Sequence, residues 1–365
     1  MSIRAGDAAT QPLTTCRARE RRPRSGRSRS LRFESGRVNA KQTQGEFMRV
    51  KRLVTASAIG GLFALGIAAP SQASLTTFCD GVAEDVSVPG DLVVASGDNC
   101  ELTNVTIDGD VTVRADATIL LEDSSVAGAL RVRDNGFANV VETDIQGATR
   151  LNEAFGVYSE NSAHERNVVG NDSEFYYTLG SSHSRNVNVT NVETFLETSW
   201  VERGVEADGG LLVDVYDSVI EGAVSIAGTE MGSVFCLSEV DGDATFTGND
   251  ELLQIGGDSP VSDCGFNVFG GSLTMTGNTA DASITGNVIR GDLVCSDNSP
   301  APIIEDNRVR GERNCETGNP VVLSSPMRSG DVEAFETRKD EVLDEIDDRI
   351  ADGEKSAAAA GHAFD

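Results

Sequence analysis

A short motif recurs along most of this chain at a step of nineteen residues. Each copy opens with a turn residue, usually glycine, and continues into a strand-like segment, as in Gly109-Asp110-Val111-Thr112-Val113. A constant step of this length is typical of a repeat protein, whereas ordinary antiparallel hairpins do not explain it. About eleven copies fit, with one insertion of roughly nine residues between Gly242 and Gly270. The glycine-opened copies begin at Gly90, Gly109, Gly128, Gly147, Gly204, Gly222, Gly242, Gly271, Gly291 and Gly311.

Within each copy, apolar residues alternate with polar ones, as Val111 and Val113 do before Ile119 and Leu121. Alternation of period two indicates strands with one face inward. Three short strands per copy form a coil that stacks on the next coil at about 4.8 Å. The sequence therefore predicts an all-β fold: a single-stranded parallel β-helix, or solenoid, over residues 74–319, with about eleven coils of 19–20 residues.

The cysteines provide an independent check on this stacking. Cys295 and Cys315 occupy the same position of successive coils, so their Cα atoms should lie within the roughly 4.4–6.8 Å that a disulfide needs. Even numbers of cysteines are typical of exported chains with disulfides. Three neighbour pairs are expected: Cys79–Cys100, Cys236–Cys264 and Cys295–Cys315.

Asparagines repeat in the same manner. Asn278 and Asn298 share one coil position, and Asn287 and Asn307 share another, each pair twenty residues apart. Stacked amides can hydrogen-bond along a solenoid. We interpret these residues as structural rather than catalytic.

The N-terminal region reads as an export signal. From Met48 a basic start leads into an apolar run and then to small residues before Ala73, which predicts a signal peptide over residues 48–73. Residues 1–47 are rich in arginine and serine. They form either a basic disordered arm or an upstream stretch that is not translated, because translation begins at Met48.

The charge of the remaining chain limits its partners. The first 73 residues hold 14 Lys+Arg and 4 Asp+Glu, so the rest carries a net charge of −38. Such a surface repels nucleic acid and anionic polysaccharide. The expected partners are cell-wall glycan or protein, neutral, cationic or bridged by a divalent metal. Neither nucleic acid nor integral membrane contact after signal cleavage is expected.

The acidic C-terminal tail, residues 320–365, departs from the repeat. Apolar residues at helical spacing predict a helix over about 331–352. This helix would either cap the open last coil or mediate self-association, and capping is the favoured interpretation. The apolar positions are Val332, Phe335, Val342, Leu343, Ile346 and Ile350.

One stretch of the repeat has a recognisable resemblance. Gly286–Pro302 (GNVIRGDLVCSDNSPAP), followed by Asn307–Gly311 and Cys315, resembles the C-terminal signature of exported actinobacterial β-solenoid proteins that are largely uncharacterised. The Gly-Asp-Leu/Val-x-Val coils are more distantly similar to bactofilins, which are cytoskeletal polymers without export signals or disulfides. The resemblance implies a solenoid fold and an exported protein, but it implies no activity and no site residues.

One cluster suggests a metal site. His164, His183 and Glu202 lie nineteen residues apart, at a coil position that elsewhere holds inward apolar residues such as Ile145. Two imidazoles about 4.8 Å apart beside a carboxylate would suit one transition metal. The alternative is a structural role, with the ladder either buried or turned outward by a bulge in these middle coils.

Acidic turns offer a second candidate cation site. Asp91, Asp110, Asp243 and Asp292 follow coil-opening glycines and could bind calcium weakly between coils. The stricter Gly-Gly-x-Gly-x-Asp repeat of calcium-binding solenoids is absent from the sequence. No other cofactor is expected.

Aromatic residues concentrate in the middle coils. The nineteen-residue step predicts two rows, Val157/Tyr176/Phe195 and Tyr158/Tyr177/Leu196. Aromatic rows can stack on sugar rings, but an aromatic core is the favoured interpretation.

These observations favour a secreted or cell-wall-associated, non-enzymatic structural or binding protein. The alternative is a polysaccharide-acting enzyme, a lyase or hydrolase, on the same scaffold. Glycosidases of this shape use close aspartate pairs, and the only Asp-Asp, Asp347-Asp348, lies in the tail. No catalytic residue is therefore assigned.

Overall fold

A computed structural model describes residues 75–258, 264–316 and 334–364. The predicted basic arm, the signal peptide and residues 320–333 of the tail lie outside these residues. Within the described residues, no helix is long and apolar enough to cross a membrane.

The described residues form short strands followed by one helix, α1 (Ala334–Ala360). The strands, in chain order, are β1 (Thr76–Cys79), β2 (Gly81–Glu84), β3 (Ser87–Val88), β4 (Asp91–Val94), β5 (Asn99–Thr103), β6 (Thr106–Ile107), β7 (Val111–Val113), β8 (Thr118–Glu122), β9 (Ser125–Val126), β10 (Leu130–Arg133), β11 (Phe137–Val141), β12 (Asp144–Ile145), β13 (Thr149–Asn152), β14 (Gly156–Glu160), β15 (Ala163–His164), β16 (Val168–Leu179), β17 (Ser182–His183), β18 (Val187–Glu197), β19 (Trp200–Val201), β20 (Val205–Asp208), β21 (Val213–Tyr216), β22 (Val219–Ile220), β23 (Val224–Ala227), β24 (Ser233–Cys236), β25 (Glu239–Val240), β26 (Ala244–Thr247), β27 (Leu252–Ile255), β28 (Val268–Phe269), β29 (Leu273–Thr276), β30 (Asp281–Thr285), β31 (Val288–Ile289), β32 (Leu293–Ser296), β33 (Ile303–Glu305), β34 (Arg308–Val309) and β35 (Arg313–Asn314).

These strands build a parallel β-solenoid of about twelve turns, as the repeat predicts. Each turn contributes a strand to each of three faces. The leading face starts with β1, β4, β7, β10 and β13; the helix face with β2, β5, β8, β11 and β14; and the short-strand face with β3, β6, β9, β12 and β15. The long strands β16 and β18 each run across both the leading face and the helix face. In these two turns no break separates the strand of one face from the strand of the other.

Register places equivalent residues directly above one another. Val111 pairs with Leu92 on one side and with Leu130 on the other, a step of nineteen residues each way. The inward residues of these rows are fully buried. Coil-opening glycines permit this close stacking, since a Cβ on Gly147 would lie 2.3 Å from the backbone of Gly128. The core is therefore a continuous column of short apolar rows.

A polar ladder follows one corner of the column through ten turns. The buried hydroxyl of Ser124 accepts a hydrogen bond from the backbone N–H of Val105 in the previous turn, at 3.0 Å. The same bond repeats along the corner. The acceptor is a serine or threonine hydroxyl in the earlier turns and an asparagine side-chain oxygen in the last three. These bonds satisfy buried backbone N–H groups that the turn leaves unpaired. The acceptors are Ser124, Thr143, Ser162, Ser181, Ser199, Ser218, Ser238, Asn267, Asn287 and Asn307.

The predicted asparagine stacking is confirmed. The Asn287 side chain donates to the Asn307 side-chain oxygen at 3.0 Å, and the Asn278 side chain donates to that of Asn298 at 2.8 Å. Both rows begin one turn earlier than the sequence indicates. Asn267 precedes Asn287, and Asn249 precedes Asn278. These amides therefore hold the last turns together.

All three predicted disulfides are confirmed, and each joins neighbouring turns. The Cα–Cα distances are 5.6 Å for Cys79–Cys100, 4.6 Å for Cys236–Cys264 and 4.4 Å for Cys295–Cys315. The predicted insertion lies between β27 and β28, since β25 pairs with β28 at a separation of 29 residues. Cys264 lies in this insertion, so its disulfide fastens the insertion to the previous turn.

Removing the last disulfide should loosen the end of the solenoid. Replacing Cys295 and Cys315 by serine is expected to cost about 3 kcal/mol, because the bond closes a loop of twenty residues in the unfolded chain. Hydrogen exchange should accelerate in β32 to β35 and stay unchanged in β4 to β13. Replacing the neighbouring exposed Ser296 by alanine is the control. Equal exchange in both variants would contradict this prediction.

Helix α1 runs along the helix face and does not cap the last coil. Its residue Ile346 is buried against Leu120, Phe137 and Phe175 of that face, and Gly353 packs on Thr118. A 27-residue helix spans about 40 Å, and the eight turns from β2 to β21 cover about 35 Å. The helix ends eight residues later than predicted, which lets it reach the first turn.

The end that the tail caps is the first coil. Beyond α1, the N–H of Val82 donates to the carbonyl of Gly361 at 2.9 Å, and the N–H of Ala363 donates to the carbonyl of Val82 at 3.0 Å. Ala363 joins the buried core of the solenoid. The predicted capping of the last coil was wrong, because an amphipathic pattern reveals an apolar face but not the surface that it covers.

Candidate functional site

The two histidines of the predicted metal site lie inside the solenoid. His164 pairs in register with His183, and their rings stack with centroids 5.0 Å apart. Each is 1 % exposed. The Thr149 hydroxyl lies 2.8 Å from Nδ1 of His164, and the Ser159 hydroxyl lies 2.9 Å from its Nε2. This part of the core is therefore a polar pocket in an otherwise apolar column.

Burial keeps both imidazoles neutral. Desolvation lowers the pKa of His164 to about 4. Desolvation, and then the neighbouring His164, lower the pKa of His183 well below its ordinary value. Nε2 of His183 lies 3.2 Å from the Thr178 hydroxyl, whereas its Nδ1 has no hydrogen-bond partner among the described residues.

Glu202 does not join the ladder, so that part of the prediction was wrong. The residue in register with His183 is Val201, and Glu202 is exposed at the next position. The turn that contains β18 is one residue shorter, because Ser173 pairs with Val192 while Phe175 pairs with Glu193. Among the described residues no group of three or more His, Cys, Asp or Glu could hold a metal. Metal binding by the two histidines stays a prediction.

The same short turn alters the aromatic rows. Tyr176 follows Val157 and points into the core, but its successor is Thr194. Tyr177 is followed by Phe195, with rings stacked at 5.0 Å. Tyr177 and Phe195 lie outside the solenoid, beneath α1, so they are buried by the helix rather than displayed to sugars.

The acidic turns use their carboxylates within the fold. Asp91 accepts a hydrogen bond from the N–H of Asp110 at 2.9 Å, and Asp110 accepts one from the N–H of Ala129 at 2.7 Å. Asp243 and Asp292 make the equivalent bonds to the next turn at 2.7 and 2.8 Å. These side chains therefore stabilise coil stacking, and calcium binding at them stays a prediction.

Two surface grooves remain as candidate binding sites. The larger, about 680 Å³, lies between α1 and the solenoid. Five glutamates line it: Glu174, Glu193, Glu230, Glu341 and Glu345. Burial, and then the carboxylate of Glu345, raise the pKa of Glu174. This groove repels anions and has no basic residue among the side chains that line it.

The second groove, about 510 Å³, lies on the leading face and is basic. Arg131, Arg133 and Arg150 line it together with Asp134, Asn152 and Asn171. Arg131 pairs in register with Arg150, and Arg133 pairs with Asn152. Sequence reasoning missed this site because it summed charge over the chain. The basic groove could have been predicted from the outward positions of these arginines on consecutive copies of the repeat.

Comparison of the chain with protein-family models, with curated proteins and with solved structures gives no match.

Proposed function

We propose that this chain is a secreted or cell-wall-associated protein that serves as a rigid, non-enzymatic structural or binding element. The observation that supports the proposal is the placement of the three disulfides, each of which joins neighbouring turns. One fastens the first coil, one the insertion and one the last described coils. Disulfides persist in oxidising compartments and are rare in the cytosol.

The rest of the fold supports the same role. A solenoid depends on contacts between adjacent turns, so it can fray from either end. Here the tail covers β2 in the first turn, amide rows hold the last turns, and covalent links lie near both ends. Because its turns are already ordered, such an element can present a flat binding surface without losing conformational entropy when a ligand binds. A relationship to exported actinobacterial β-solenoid proteins is part of this proposal.

The proposal is tested by following the full chain in a host that exports it. We expect the protein in the medium or the wall fraction, beginning at Ser74, with all six of its cysteines oxidised. The matched control is a chain that starts at Ser74 with an added initiator methionine, which should stay in the cytoplasm. Recovery of the full chain in the cytoplasm with free thiols would overturn the proposal.

A second arm separates binding from catalysis. Purified exported protein is incubated with a panel of neutral and acidic polysaccharides, and new reducing ends are measured. We expect none above the rate of a heat-denatured sample. Turnover of any polymer would replace this proposal by the enzyme alternative.

A further inference from the structure

The leading face carries a segregated block of arginines. Between residues 114 and 203 the chain contains seven arginines and no lysine. All of them lie on the leading face or on the corner just before it, and none lies on the helix face or on a strand of the short-strand face. They are Arg114, Arg131, Arg133 and Arg150 at outward positions, and Arg166, Arg185 and Arg203 at the corner.

The arginines are largely available for a ligand. Among the described residues, the ion pairs are Arg131 with Asp110, at 2.5 Å, and one on helix α1. Arg133 and Arg150 are exposed and point into the groove of about 510 Å³. Arg114 lies 5.9 Å from the ring centre of Phe78, which is itself 57 % exposed.

Along the two outward rows of the leading face, the register neighbours of the block are uncharged. Thr112 precedes Arg131 in its row, and Val169 and Asn188 follow Arg150. In these two rows, the acidic side chains that follow the block are those of β20, the exposed Glu206 and Asp208. The outward arginines thus cover three turns, at β7, β10 and β13, and are two side-chain rows wide. The corner arginines continue the basic zone just before β16, β18 and β20.

We infer that this arginine block binds an anionic polysaccharide, through the carboxylate or phosphate groups that the polymer carries. The inference rests on the binding role in the proposed function and names its ligand class. Guanidinium groups bind carboxylate and phosphate in two-pronged geometry. Arginines repeated on turns about 4.8 Å apart present such groups in a line, which suits an extended polymer.

The net negative charge of the chain does not prevent this binding. At physiological ionic strength charges farther away than about 8 Å are largely screened. Glu122 and Glu160 of these turns lie at the end of helix-face strands, whereas Asp110 pairs with Arg131 and Asp134 lines the groove. Three arginines line the groove against one aspartate, so the local charge around Arg133 and Arg150 is positive.

A single polymer strand fits this surface better than nucleic acid does. The basic zone is only two rows wide. The corner that ends the leading face carries Asp116, Asp134 and Asp172, which repel a second strand of phosphates. One exposed aromatic ring, Phe78, lies beside Arg114, and a single ring does not form the row of stacking surfaces that successive bases need.

The test measures binding of the exported protein to immobilised polymers at 0.15 M salt. The probes are polygalacturonate for carboxylates, linear polyphosphate for phosphates, dextran as a neutral glycan, and single-stranded DNA. The test variant combines Arg114→Gln, Arg133→Gln and Arg150→Gln, which leaves the Arg131–Asp110 pair intact. The matched control combines Arg290→Gln, Arg308→Gln and Arg310→Gln, which are exposed on the last turns and change the charge equally.

We expect wild-type protein to bind polygalacturonate or polyphosphate, with Kd raised about tenfold or more in the test variant, as loss of three charged contacts implies. The control should change Kd less than about twofold. Equal loss in both variants, equal binding to dextran, tighter binding to DNA, or binding to neither polyanion would overturn the inference. That last result would leave the export and the rigid role untouched, since fractionation tests them separately. Unfolding midpoints of both variants confirm that the fold is kept.

Discussion

Replacing Ile346 by aspartate is expected to detach helix α1 and to destabilise the protein by about 4 kcal/mol. Ile346 is 1 % exposed and packs on the aromatic cluster of the helix face. A carboxylate there would be buried without a partner, which is among the costliest single changes. An isolated helix of this kind is marginal in water, so α1 should unfold when it loses its contact surface.

Detachment would expose a large apolar surface. The cluster beneath the helix includes Phe137, Phe175, Tyr177, Phe195 and Leu212. We therefore expect the variant to bind a fluorescent apolar dye and to have a lower urea midpoint than the wild type. The matched control is Ala358→Asp, which adds the same charge at an exposed position of the same helix. The account would be contradicted if the urea midpoint of the control fell as far as that of the test variant.

Acidification from pH 6.5 to 4.5 is expected to destabilise the protein through its two buried histidines. The folded pKa of His164 is about 4, whereas the unfolded chain has the ordinary value of 6.5. Above pH 6.5 both states are neutral and the full stability is present. As the pH falls, the unfolded state takes up protons and the folded state does not, so stability is lost. Linkage gives about 3 kcal/mol for His164 once the pH approaches 4, and His183 acts in the same direction.

Comparison of variants isolates this effect. Burial raises the pKa of Glu101 and of Glu174, and these carboxyls change stability in the opposite sense with pH. No carboxylate contributes to the lowered pKa of either buried histidine. The difference between variants in the same buffers therefore reports on the histidines.

His183→Val places at this turn the residue that the next turn holds, Val201. Because Nδ1 of His183 has no hydrogen-bond partner among the described residues, we expect the change to preserve stability at pH 7 and to flatten the loss below pH 6.5. The control is His362→Gln, the one further histidine of the chain, which is exposed in the tail. Urea midpoints between pH 4.5 and 7.5 provide the measurement. If the urea midpoint of His183→Val fell with decreasing pH as steeply as that of the wild type, the account would be contradicted.

The repeat predicts this fold well because stacking in register converts sequence separation into distance. Once Val111 is placed above Leu92, the positions of Cys295 beside Cys315 and of Asn287 beside Asn307 follow from spacing alone. The strands themselves are too short for local propensity to locate them. Periodicity over many turns supplies the information that a single turn lacks.

Where the period changes, the prediction fails. Glu174 has no counterpart in the next strand, and this one missing residue moves Glu202 out of the ladder and places Phe195 after Tyr177. A deletion of one residue reverses inward and outward positions along a strand. Sequence alone did not reveal it, because polar and apolar residues alternate weakly in these turns.

Contacts between segments that are distant in sequence were the second feature that the repeat did not predict. Outward aromatic residues such as Phe137 and Tyr177 are unusual on a solvated face and could have indicated a covering element. The identity of that element, α1, is not encoded in the repeat. The arginine block was missed for a related reason, since net charge carries no information on which face a charge occupies.

The central claim is that equivalent residues of successive turns lie directly above one another, and an engineered cross-link tests it most directly. Ser225 and Thr245 are register partners that point outward on the leading face. Cysteines at both positions should form a disulfide, since partners lie about 4.8 Å apart. Cysteines at Ser225 and Thr247 should not, because two residues along the strand separate the Cα atoms by about 8 Å. Mass spectrometry of non-reduced peptides is expected to find the first link and not the second. The reverse result would contradict the stacked register.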